Sequence, residues 1–175
     1  MKTLLAGLAL IPGICFGADS CKEQIPTPVA QAILKAFPKF RLPLESDNSP
    51  DDVAWKKKAD GHPCFGVASA DFNGDTERDF ILGLTAKKGE GGLVIAALSG
   101  KHAWKVEKLS DWPESRLRLF VGKAPAGTFT QTEALEGNPP PLVCSTSVAV
   151  YGGIEAWSVV MCWKRGKWKS IQTSD

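Results

Sequence analysis

Asp71, Asn73, Asp75 and Asp79 occupy the first, third, fifth and ninth positions of the stretch DFNGDTERD, which lies between two apolar runs. Oxygen-bearing side chains alternating along a tight loop suit a hard cation such as calcium, which takes six to eight oxygen ligands. A main-chain carbonyl at the seventh position, Glu77, would complete the protein's share of that shell, with water supplying the rest. A helix–loop–helix EF-hand is excluded, because the flanks read as strands and the twelfth position is Leu82 where a bidentate Glu is required. Magnesium suits the loop less well, since it seldom relies on an all-protein cage. The bland alternative is a hydrophilic turn in which Asp and Asn side chains cap their own backbone. Even with an ion bound, such a loop is expected to staple two strands and not to catalyse.

The run ADFNGDTERDFILGL resembles the D-x-[DN]-G-D-G-x-x-D signature of FG-GAP and VCBS-type repeats. The resemblance implies a strand–loop–strand calcium site with Asp71, Asn73, Asp75 and Asp79 as ligands, and Gly74 also matches. Thr76 departs from it, since the usual glycine there relaxes a tight backbone. More widely, the chain is similar to small exported bacterial proteins built around one such motif, with an N-terminal helix ending in a phrase like AFPKFRLP and a closing strand like GKWKSIQTSD. A propeller is not expected, because its blades need several motifs.

Other catalytic chemistry finds little material. The chain has two histidines, His62 beside Pro63-Cys64 and His102 in a Gly-Lys-His turn, and both read as surface turn residues. There is no G-x-S-x-G elbow, no H-E-x-x-H and no G-x-x-x-x-G-K-[ST] loop. Six tryptophans are a second notable feature. Trp157 and Trp163 share strand parity, with Val159 and Met161 between them, so they fall on one face. Together with Trp168 they are the candidate partner face, core packing being the commoner use of such residues. The tip from Trp163 to Trp168 frames three cations, Lys164, Arg165 and Lys167, which suits an acidic partner or simply a soluble turn.

The elements that must carry these residues begin after an expected signal peptide, residues 1–17. Lys2, an apolar run from Leu4 to Phe16 and small residues near Gly17 have the layout of a cleaved secretory signal, too short to span a bilayer. Neither Cys15 nor Cys21 has the small preceding residue and aliphatic residue of a lipoprotein signal, so a soluble periplasmic or extracellular product is expected, with no transmembrane segment in the mature chain. Residues 18–175 then form a single domain of near-neutral charge, which argues against nucleic acid as partner. Cys21, Cys64, Cys144 and Cys162 remain, an even count that reads as two disulfides in an exported chain. Three connectivities exist. Cys144 and Cys162 lie equidistant from Gly153 in a Gly-Gly turn, which predicts their pairing across a hairpin and leaves Cys21 with Cys64.

Thr27 as cap, Pro28 at the first turn, and the Val29, Ile33, Phe37 stripe predict a helix ended by Pro38. Ser49-Pro50-Asp51-Asp52 predicts a second helix, closed by Lys56, Lys57 and Lys58 as a solvated last turn. Strands follow near 65–71, 79–85, 92–98, 103–109, 116–121, 127–133, 142–150, 155–163 and 167–172. The fold class is α+β, mainly β: short N-terminal helices packed on an antiparallel β-domain, a sandwich or a strongly twisted sheet. The expected function is a non-enzymatic exported binding protein with a structural calcium loop, an inhibitor or immunity partner of an envelope enzyme being one form of it. The alternatives are a metal-dependent hydrolase using Asp71 or Asp79, or a surface adhesion module.

Overall fold

Two antiparallel sheets packed face to face form the centre of the chain in a computed structural model that describes residues 19–101, 103–112, 119–154 and 157–174. The expected signal peptide lies outside the described residues, as does His102. The mainly β class with short helices is as the sequence predicts. The helices are α1 (Ser20–Glu23), α2 (Thr27–Ala36) and α3 (Pro50–Asp60). Among the described residues no helix is long and apolar enough to cross a membrane.

Sheet A joins β1 (Phe40–Arg41), β2 (Val67–Ala70), β3 (Asp79–Ala86), β4 (Gly92–Leu98) and β5 (Lys105–Trp112). β1 and β2 share one side of β3, Arg41 facing Thr85 and Val67 facing Leu82, while β4 takes the other side. Sheet B runs β11-β10-β9-β6, from β6 (Leu119–Ala124), β9 (Val148–Gly153), β10 (Ser158–Lys164) and β11 (Lys167–Ser174). A two-stranded ribbon of β7 (Gly127–Phe129) and β8 (Leu142–Cys144) lies outside it.

Side-chain alternation sorts the apolar residues into three cores. Phe80, Leu82 and Leu84 of β3 point to the helices, where they meet Ile25, Val29 and Ile33. Ile81 of the same strand points the other way, into the layer between the sheets with Val121, Ala149, Tyr151 and Met161. Val148, Val160, Cys162 and Ile171 use sheet B's outer face and are covered by the ribbon. β3 is thus covered on both faces, which is why its sequence is an almost unbroken apolar run and not an alternating one.

The helices follow local signals. Thr27 and Pro28 both lie inside α2, with Pro26 as its N-cap, so the cap falls one residue earlier than expected. Ser49 caps α3 through the Asp52 amide, and Gly61 at φ 82 ends it. Yet α3 buries no residue, because Val53-Ala54-Trp55 is a consecutive cluster and not a stripe. Ahead of it, Asp47 is buried in a 3-10 turn (Glu45–Asp47) and takes both forks of the Arg41 guanidinium, with the Leu44 amide at 2.9 Å.

Both disulfides form, Cys21–Cys64 and Cys144–Cys162. The hairpin register that predicted the second one is wrong: Val160 faces Val150 and Met161 faces Ala149, so Cys144 is not on the strand opposite Cys162. The expected strand 142–150 is divided in two, because Thr146 leaves the sheet to donate to the Phe72 carbonyl at 2.9 Å. Gly152 and Gly153 belong to β9 and do not form the turn. A Cβ on Gly152 would lie 2.1 Å from the Trp157 carbonyl oxygen, so close strand approach, not chain reversal, accounts for glycine there.

Candidate functional site

The acidic loop runs from the end of β2 to the start of β3 and is fastened by its own main chain. Asp71 accepts from the Gly74 amide at 2.6 Å through Oδ1 and from the Thr76 amide at 2.9 Å through Oδ2. Asn73 Oδ1 accepts from the Asp75 amide, and Asp75 Oδ1 from the Glu77 amide, each at 2.9 Å. Asp79 is fully buried and takes the Phe72 and Asn73 amides on Oδ2 and the Ser99 amide on Oδ1, at 2.9, 3.2 and 2.7 Å, with the Ser99 hydroxyl at 3.0 Å. Ser99 Oγ also reaches Asp75 Oδ2 at 3.2 Å, which ties the turn after β4 to the loop. Gly74 and Thr76 both adopt left-handed backbone, at φ 84 and 71, so threonine holds a conformation that glycine adopts more freely.

These contacts set the charges. The Asp75 carboxyl lies below its ordinary range, chiefly because the Glu77 amide donates to it, with Asn73 and Ser99 adding. Asp79 goes the other way: burial raises its pKa, and the amides of Ser99, Phe72 and Asn73 offset only part of that.

Asp71, Asn73, Asp75, Glu77 and Asp79 thus lie in one loop in which Asp71, Asn73, Asp75 and Asp79 accept from main-chain amides. Each carboxylate oxygen of Asp71, Asp75 and Asp79 serves an internal donor, and among the described residues no three His, Cys, Asp or Glu side chains are grouped to hold an ion. The donor pattern is that of a self-capped polar clasp. Such a clasp predicts the same melting temperature in calcium and in chelator. A calcium-dependent rise, worth about 2.7 kcal/mol at a hundredfold excess over the dissociation constant, would show that the loop rebuilds around the ion.

Compared with protein-family models, curated proteins and solved structures, the chain gives no match. The likeness to FG-GAP and VCBS-type loops rests on the loop residues themselves.

An apolar concavity lies elsewhere, where α3 overhangs the seam of the two sheets. At that seam the Val121 amide donates to the Phe65 carbonyl at 2.8 Å, joining sheet B to the chain entering β2. Trp55, Phe65, Phe120, Val121 and Ile154 line a groove of about 570 Å³. Asp51, Asp52 and Asp60 stand around it, and Lys56 pairs with Asp60 at 2.6 Å while lying 5.1 Å from the Phe65 ring centre. Trp55 is 65 % exposed, far beyond any other large apolar residue on the described helices. The sequence signal for it was a lone tryptophan on a helix lacking an apolar stripe.

The tryptophans singled out from sequence are placed differently. Trp157, Trp163 and Trp168 do share one side of sheet B, but it is the inner side, where each is half-buried against the layer between the sheets. Trp163 and Trp168 meet edge to face at 5.5 Å, and Trp157 stacks beside Trp112 at 5.2 Å. His62 is exposed at the end of α3.

Proposed function

We propose that this chain is a non-enzymatic binding protein that works outside the cytoplasm by occupying the surface of a protein partner. The observation that carries the reading is Trp55, held in the open on a capped helix at the mouth of an apolar groove. A large exposed aromatic beside an apolar groove is the kind of side chain around which binding energy concentrates. The acids around the groove select a partner segment that presents an apolar anchor next to a Lys or Arg. Two disulfides suit an oxidising compartment and stiffen the scaffold, which lowers the entropy lost on docking. Inhibition of, or immunity to, an envelope enzyme is the biological form this mode of action would take.

A photo-crosslinking residue placed at Trp55 and expressed in the source cell should yield one discrete adduct that is absent when the residue replaces the exposed Val143. With that partner purified, Trp55→Ala should weaken binding by about 2 kcal/mol in calorimetry, the scale of an interface anchor. No adduct from position 55, or an affinity unchanged by Trp55→Ala, would sink the reading.

A further inference from the structure

The hairpin of β10 and β11 carries a second surface, separate from the groove under α3. Lys164 and Lys167 are directly opposite each other across it, and Lys169 follows Lys167 on the same face by strand alternation. The turn between the strands passes through Arg165, held in left-handed backbone at φ 53. All four cations are exposed, and among the described residues none of them forms a salt bridge. They border a trough of about 1000 Å³ whose far wall is Pro139, Pro140 and Pro141, with Leu142 and Ile171 contributing apolar surface.

This arrangement works against the stability of the free protein. Like charges directly opposite on paired strands repel, and a non-glycine residue in left-handed backbone is strained. Lysine on an edge strand often guards against aggregation, and β11 is the edge of sheet B. Lys164 stands instead on β10, past Met161 where the pairing with β9 ends, and its cross-strand neighbour is Lys167. An anionic ligand resolves the repulsion. Its acidic groups would lie among cations while its remainder meets Leu142 and Ile171, a mixture that suits a polypeptide better than a uniformly charged polymer. An extended chain can in addition use the main-chain groups of an edge strand.

We propose that the trough beside β10 and β11 binds an acidic, extended segment of a partner protein. Carboxylates of the segment pair with Lys164, Arg165, Lys167 and Lys169, and its apolar side chains rest against the proline wall.

The test uses a labelled peptide of alternating glutamate and leucine, read by fluorescence polarisation against the wild-type chain, Lys167→Glu, and Lys88→Glu, an exposed lysine outside the trough. The wild type and Lys88→Glu should bind saturably, within about twofold of each other and more weakly as salt is raised. Lys167→Glu should bind at least about tenfold more weakly. Its melting temperature should stay level or rise, because a glutamate facing Lys164 turns repulsion into attraction. A merely structural role for Lys167 would instead lower the melting temperature together with binding. Absence of saturable binding, equal loss in both variants, or a fall in the melting temperature of Lys167→Glu each overturns the proposal. So does inorganic polyphosphate displacing the peptide at matched charge concentration, which reassigns the trough to a phosphate polymer. Self-association of the protein without peptide in sedimentation would assign it to a second copy of the chain and overturn it equally.

Discussion

Replacing Cys21 and Cys64 together by alanine should lower the unfolding free energy by roughly 4 kcal/mol, the loop-closure value for cysteines 43 residues apart. Both residues are fully buried in the core that joins α1 and α2 to sheet A, so the tie also holds the helices on the apolar face of β3 and β4. For a domain whose total stability is of the order of 5–15 kcal/mol, that is a large share. The Cys144/Cys162 pair closes a separation of 18 residues, so its removal should cost less, roughly 3 kcal/mol. Urea denaturation of the two double variants decides the matter. A loss below about 1 kcal/mol for the first pair would show that apolar packing alone seats the helices.

Asp79→Ala should be the most damaging single substitution in the acidic loop, at about 3–4 kcal/mol. It strips the acceptor from the Phe72, Asn73 and Ser99 amides and the Ser99 hydroxyl, and each donor left unpaired in a buried setting costs about 1–3 kcal/mol. Loop amides near the surface recover part of that from water. Asp71→Ala removes two amide contacts in an exposed setting and should cost about 1 kcal/mol.

The raised pKa of Asp79 adds a pH signature. Its folded form holds a proton more tightly than its unfolded form, so this one group adds stability as pH falls through the carboxylate range. Asp75 and Glu45, with lowered pKa values, lose stability over the same descent. The penalty of Asp79→Asn relative to wild type should therefore grow as the pH falls below about 5, because the variant lacks this compensating group. Thermal melts across that range test it, and a penalty that shrinks on the acid side would show that the amides outweigh burial.

What could be read from sequence was what local pattern controls. The Val29 and Ile33 stripe, the Ser49 cap and the apolar runs of β3 and β4 each announce an element through contacts within a few residues. The disulfide partners were found by a hairpin argument whose register fails, since Thr146 is drawn out of the strand by Phe72, far away in sequence. β1 is only two residues long, and the Arg41–Asp47 pair beside it shows no period, so neither left a mark. For the candidate sites the limits are similar. Spacing located the acidic loop but could not show that its oxygens serve the loop's own amides. Parity put Trp157 and Trp163 on one face but could not say whether that face was covered, and sheet A covers it.

The two disulfides have a mechanical consequence. One fastens the helical layer to sheet A and the other fastens the outer ribbon to sheet B, so neither crosses the plane where the sheets meet. Shear along that plane is borne by dispersion contacts, by the Val121–Phe65 seam and by side-chain bonds such as Thr146 to the Phe72 carbonyl and Lys123 to the Ser69 carbonyl. The molecule is cross-linked on its two outer sides and carries no disulfide at its middle, so a force pulling the sheets apart meets neither cross-link at that plane.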